Sequence, residues 1–100
     1  MSRPQPLDHA QIELALRDLP GWTFRDNALH RELRFDDFIA AFGFMSAMAL
    51  VSQTIDHHPE WRNVYNRLEI TLNTHDAGGV TVLDLEWARR AEAALVGRKH

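Results

Sequence analysis

Apolar and polar positions along this chain change period several times, and the changes mark out its elements. Ile12, Ala15, Leu16 and Leu19 recur at helical spacing. Asp8 with Gln11 three residues on is a capping-box start, and Pro20-Gly21 is the stop. Residues 22–25 and 28–35 read as strands joined by the two-residue turn Asp26-Asn27. In the second strand Leu29, Leu33 and Phe35 share a face with Arg31, while His30, Glu32 and Arg34 share the other. One covered face and one wet face is the pattern of an antiparallel sheet.

The next stretch is different. Asp36 can cap a long helix running to about Ile55, with Asp37 in a first turn that favours negative charge. Beyond that turn the helix is apolar nearly all round. Phe38, Phe42, Met45 and Ala49 form one stripe, and Ala40, Phe44, Ala47, Met48, Val51 and Ile55 another. Such a helix needs burial on two sides. A two-layer domain covers one, so the other is expected to meet a second subunit. His58 precedes Pro59, which favours an extended conformation and ends the helix just before it.

Val64-Tyr65 reads as a short strand. Residues 67–74 alternate, with Leu68, Ile70 and Leu72 facing in and Arg67, Glu69, Thr71 and Asn73 facing out; His75 continues the outward row. Gly78-Gly79 mark a turn, and Thr81 with Asp84 forms the capping box of a last helix. That helix carries Leu83, Trp87, Ala88, Ala91, Ala94 and Leu95, then frays into Gly97, Arg98, Lys99 and His100. The order is α-β-β-α-β-β-α. It predicts one two-layer α+β domain over residues 1–100, with a four-stranded antiparallel sheet, helices packed on one face and a loose tail over residues 1–6.

Composition narrows the function. At 100 residues one modest core is expected. A formal net charge of −3 offers no general attraction to nucleic acid or an anionic membrane. The most apolar run, residues 38–51, is short for a bilayer span. Residues 1–6 lack the apolar run of a signal peptide. The absence of cysteine excludes disulfides, thiolate metal sites and a cysteine nucleophile. The expectation is a soluble cytoplasmic protein that binds neither nucleic acid nor membrane.

Candidate chemistry is concentrated in Asp56-His57-His58-Pro59-Glu60-Trp61, followed by Tyr65 and His75. An imidazole, with an ordinary pKa of about 6.5, can both give and take a proton near neutrality. Two of them at a helix end, locked by proline, are aimed rather than flexible. Each residue also has a plainer reading. His75 could end a strand in water, Asp84 could serve only Thr81, and Trp61 and Tyr65 could be core or rim aromatics. His9, His30 and His100 read as surface residues. A metal centre is disfavoured because adjacent side chains diverge, so His57 and His58 could not readily chelate one ion, and no HExxH-type spacing assists them. Gly-rich phosphate loops and a GxSxG elbow are absent.

His57-His58-Pro59, Tyr65, His75 and Asp84, in type and spacing, resemble the signature of the pterin-4a-carbinolamine dehydratase family. The resemblance runs from Gly21-Trp22 to the last helix, through Phe38, the run from Ala41 to Met45 and the run from Glu60 to Asn66. It implies an α+β fold, a dimer or tetramer, and the loss of water from 4a-hydroxytetrahydrobiopterin to give quinonoid dihydropterin, with no cofactor. That reaction would follow an aromatic amino-acid hydroxylase in tetrahydrobiopterin recycling. It also implies that His57, His58 and His75 are the functional histidines. Asp56, Trp61 and Asp84 would then bind the pterin or lie beside it. One departure stands out: many members carry a charged residue four positions before the histidine pair, where this chain has Gln53. Other members act as dimerisation partners of a transcription regulator, so a protein-binding module is the alternative.

Overall fold

The computed structural model describes residues 4–98. The elements are α1 (His9–Leu16), β1 (Thr23–Arg25), β2 (Ala28–Arg34), α2 (Phe38–Ile55), β3 (Glu60–Val64), β4 (Arg67–Leu72) and α3 (Val82–Leu95), with a single 3-10 turn at His75–Ala77. The order is α-β-β-α-β-β-α around one antiparallel sheet of strand order β1-β2-β4-β3. Pro4 to Pro6 form no element, and Leu7 N–H is bonded to the Val80 carbonyl. The rest of the expected tail, Met1 to Arg3, and the terminal Lys99 and His100 lie outside the described residues.

One face of the sheet makes the core. Leu29 and Leu33 of β2 and Leu68, Ile70 and Leu72 of β4 are buried against Ile12 of α1, Ala41, Phe44 and Met48 of α2, and Trp87, Ala88 and Ala91 of α3. The opposite rows place His30 against Thr71, Glu32 against Glu69, and Arg34 against Arg67. Arg31 belongs to the covered row and is kept there by Glu92 of α3, Nε to Oε2 3.3 Å. Its guanidinium crosses Gly21 so closely that a Cβ there would lie 2.3 Å from Cζ; a larger residue would require the Arg31 side chain to shift.

Several boundaries differ from the sequence reading. Trp22 lies before β1, is buried, and donates its indole N–H to Glu92. The cap of α2 is Asp37, whose Oδ1 accepts from Ala40 N–H at 2.8 Å; Asp36 is one position too early. The strand placed at Val64-Tyr65 is really β3, which runs over Glu60–Val64 and ends where Tyr65 takes φ 51° in the turn. β4 stops at Leu72, so His75 opens the 3-10 turn instead of continuing a strand.

The burial of α2 also differs from the stripes expected. Ala41, Phe44, Met48 and Ser52 are its buried row, and Met45 is half-buried against the core. The most exposed large apolar residues of α2 are Ile39 (81%) and Leu50 (73%), which neither stripe contained. At 18 residues the helix passes a length and apolarity test for crossing a membrane, although a helix with one face in a protein core passes it too.

Candidate active site

The end of α2 aims the histidine pair. Asp56 adopts the left-handed conformation (φ 53°, ψ 45°) at the C-cap, and the N–H groups of Asp56 and His57 both return to the Ser52 carbonyl. Aspartate tolerates this conformation better than most residues. After that turn His57 points inward and is 8% exposed, whereas His58 is exposed. The two rings diverge, as adjacent positions require.

Asp84 receives the inward ring. Its side chain is fully buried, and its Oδ1 lies 2.6 Å from His57 Nε2. Its Oδ2 accepts from Thr81 N–H at 2.8 Å and from the Thr74 hydroxyl at 2.9 Å. The Thr74 and Thr81 hydroxyls are 2.8 Å apart. Since Thr74 gives its proton to Asp84, Thr81 donates to Thr74 and itself accepts from Leu83 N–H at 3.2 Å. Every polar atom in this cluster has a partner, the condition on which a carboxylate tolerates full burial. The capping box of α3 and the support of His57 are therefore one group.

The other two histidines have separate supports. His58 Nε2 meets Gln53 Oε1 at 3.2 Å, and His75 Nε2 meets Glu60 Oε1 at 2.9 Å. A carboxylate or amide oxygen can only accept, which assigns the proton on all three neutral rings to Nε2 and the lone pair to Nδ1. The three rings line one open cleft of about 290 Å³ together with Asp56, Asn73, Thr74, Asp76 and Leu83. A histidine pair from one segment thus meets a third histidine from another.

Not every expected site residue reaches this cleft. Asp56, His57, His58 and His75 line it. Asp84 does not: it lies behind His57 and Thr74 and reaches the cleft only through those two side chains. Trp61 sits in the covered row of β3, half-buried, with its ring edge-on to Trp87 at 6.1 Å. Tyr65 is 62% exposed in the β3–β4 turn. Sequence reasoning missed Thr74, although a signal existed: it extends the row of Leu68, Ile70 and Leu72, where a polar residue must have a buried partner. His9 stacks edge-on against Phe24, and His30 bonds to the Arg25 carbonyl; neither lines the cleft. His100 lies outside the described residues. Among the described residues no group of three or more histidine, aspartate or glutamate side chains is placed to hold a metal ion.

Comparison with known proteins places the chain in a family. A protein of Solibacter usitatus (strain Ellin6076), provisionally named a pterin-4-alpha-carbinolamine dehydratase, is 50% identical over 91 residues, covering 91% of this chain and 96% of its own. A Bradyrhizobium sp. (strain ORS 278) protein with the same provisional name is 57% identical over 81 residues, covering 79% and 81%. Among solved structures, a transcriptional coactivator/pterin dehydratase from Brucella melitensis superposes with a TM-score of 0.88 at 46% identity, covering 90% of this chain and 98% of that one. A pterin dehydratase-like protein identified as a RuBisCO assembly factor in the alpha-carboxysome shares the fold, at TM-score 0.60 and 20% identity over 73% of this chain and 84% of that one. The model of the pterin 4 alpha carbinolamine dehydratase family matches residues 5–94, which include the whole cleft and its supports, so this chain belongs to that family.

Proposed function

We propose that this protein is a cytoplasmic 4a-hydroxytetrahydrobiopterin dehydratase acting in tetrahydrobiopterin recycling, with His57, His58 and His75 as its proton-transfer and substrate-binding groups. The observation that carries the reading is the convergence of these histidines on one cleft, each ring held from behind by a side-chain oxygen. Loss of water from the substrate breaks the C4a–O bond and the N5–H bond. The N5–H electron pair becomes the C4a=N5 double bond, and the hydroxyl leaves as water once it gains a proton. The reaction needs one acid at the hydroxyl and one base at N5, and each well-placed group contributes about 10²–10⁴-fold. Electrons are neither gained nor lost overall, so the proposal includes no cofactor.

His57 and His75 are the pair we assign to proton transfer. They come from different segments of the chain, line the same cleft and are both held by carboxylates. His58, held by the Gln53 amide, is assigned to positioning the pterin, with the exposed Asp56 carboxylate beside it as an acceptor for pterin N–H groups. The test is turnover of freshly generated 4a-hydroxytetrahydrobiopterin. Dehydration well above the spontaneous rate is the expected result, and its absence from the folded protein would overturn the assignment.

A second reading concerns association. Phe38, Ile39, Phe42 and Leu50 leave α2 with an exposed apolar face, and the Brucella relative is named a transcriptional coactivator as well as a dehydratase. We propose that this face meets a second copy of the chain, in a homodimer or homotetramer.

A further inference from the structure

Glu60 opens β3 in the outer row of the sheet, directly opposite Thr71. The next residue in its row, Arg62, is turned to Glu69 at 3.7 Å. Glu60 instead reaches off the sheet to the 3-10 turn and meets His75 Nε2 at 2.9 Å. The two side chains are 68% and 76% exposed, and ion pairs this exposed add little to stability. What the contact can fix is geometry. Glu60 follows His57-His58-Pro59 directly in the chain, so its bond to His75 ties together the two segments that bring the histidines into one cleft. Among the described residues, Glu60 is the side chain hydrogen-bonded to the His75 ring.

We infer that Glu60 is a positioning residue for the dehydration, holding the His75 ring through Nε2 so that Nδ1 is the nitrogen presented to the substrate. This rests on the reading of His75 as a catalytic group, so the test separates the two. Steady-state turnover of freshly generated 4a-hydroxytetrahydrobiopterin is compared for the wild type, Glu60→Ala, Glu60→Gln, His75→Ala and the Glu60→Ala/His75→Ala double variant. Order of the His75 ring is read in parallel by side-chain 13C relaxation. Glu60→Ala should lower kcat about tenfold or more, the scale of a misplaced reacting group, while KM and the melting temperature stay near wild type. Glu60→Gln keeps an acceptor oxygen and should recover most of that loss. The double variant should be no slower than His75→Ala, because Glu60 acts only through that ring. The ring should become mobile in Glu60→Ala and stay ordered in Glu60→Gln. A slow His75→Ala beside an unimpaired Glu60→Ala overturns the positioning role and leaves the dehydratase reading intact. An unimpaired His75→Ala removes the histidine from the mechanism and the inference with it.

Discussion

Asp84 has no contact with solvent, yet its two oxygens hold together the start of α3, the Thr74 hydroxyl and the inward ring of His57. Its replacement by alanine strands three donors in a buried setting and removes a helix cap. The expected loss is about 2–4 kcal/mol of unfolding free energy, read by urea denaturation, together with reduced turnover. Thr74→Val, which removes one donor and leaves the His57 bond in place, should be milder on both counts. The histidines themselves should behave in the opposite way. His75→Ala alters an exposed side chain and should change stability by no more than about 0.5 kcal/mol, while lowering kcat on the order of 10²-fold or more. His57→Ala should reach the same class in kcat. Their double variant should fall well short of the product of the single losses if the two act as a unit. His30→Ala, outside the cleft, is the control. Normal kcat in a folded His75→Ala would shift weight to a binding role. That His57, His58 and His75 are the histidines brought to one cleft was legible from residue type and spacing. Their supports were less so, because Asp84 and Thr74 reach His57 only through the fold, and Glu60 reaches His75 only after the chain has reversed.

The elements that alternated cleanly are those the sequence located best. Leu68, Ile70 and Leu72 define β4, and the capping pairs Asp8/Gln11 and Thr81/Asp84 both form as expected. β3 was harder to see because its covered row holds Trp61 and Asn63 in place of two aliphatic residues. Asn63 turns its amide to the carbonyls of Tyr65 and Arg67, tying the tight turn where an apolar side chain would pack. At α2 the sequence reading put the cap at Asp36, one residue early, because residue type alone does not separate two adjacent aspartates. Only Asp37 places a carboxylate on a free N–H, that of Ala40. Asp37→Ala should therefore destabilise the protein by about 1 kcal/mol. Asp36→Ala should change it by less than about 0.5 kcal/mol. Equal effects in chemical denaturation would show that the cap is shared.

On the scale of the whole molecule, the two-layer arrangement leaves α2 half covered. Its inner row, Ala41, Phe44, Met48 and Ser52, is closed by the sheet and α3, with Ser52 Oγ accepting from the Trp87 indole at 2.8 Å. Its outer row carries Ile39, Phe42 and Leu50 into solvent with only Gly43, Ser46 and Ala49 between them. An apolar row running the length of a helix is costly in water and is the kind of surface that marks an interface. Because small residues alternate with large ones, a second copy of the same helix could approach closely and seat its side chains in the gaps, as self-complementary interfaces require. Light scattering at micromolar concentration should accordingly give at least twice the 11.5 kDa chain mass. Ile39→Asp/Leu50→Asp alters two positions that contribute little to the core, so the variant should remain folded by circular dichroism while its mass falls toward that of one chain. Turnover measured on that folded monomer then asks whether the cleft works alone. A wild-type protein that is monomeric at these concentrations would remove the second copy as the occupant of the face and leave a different partner to cover it.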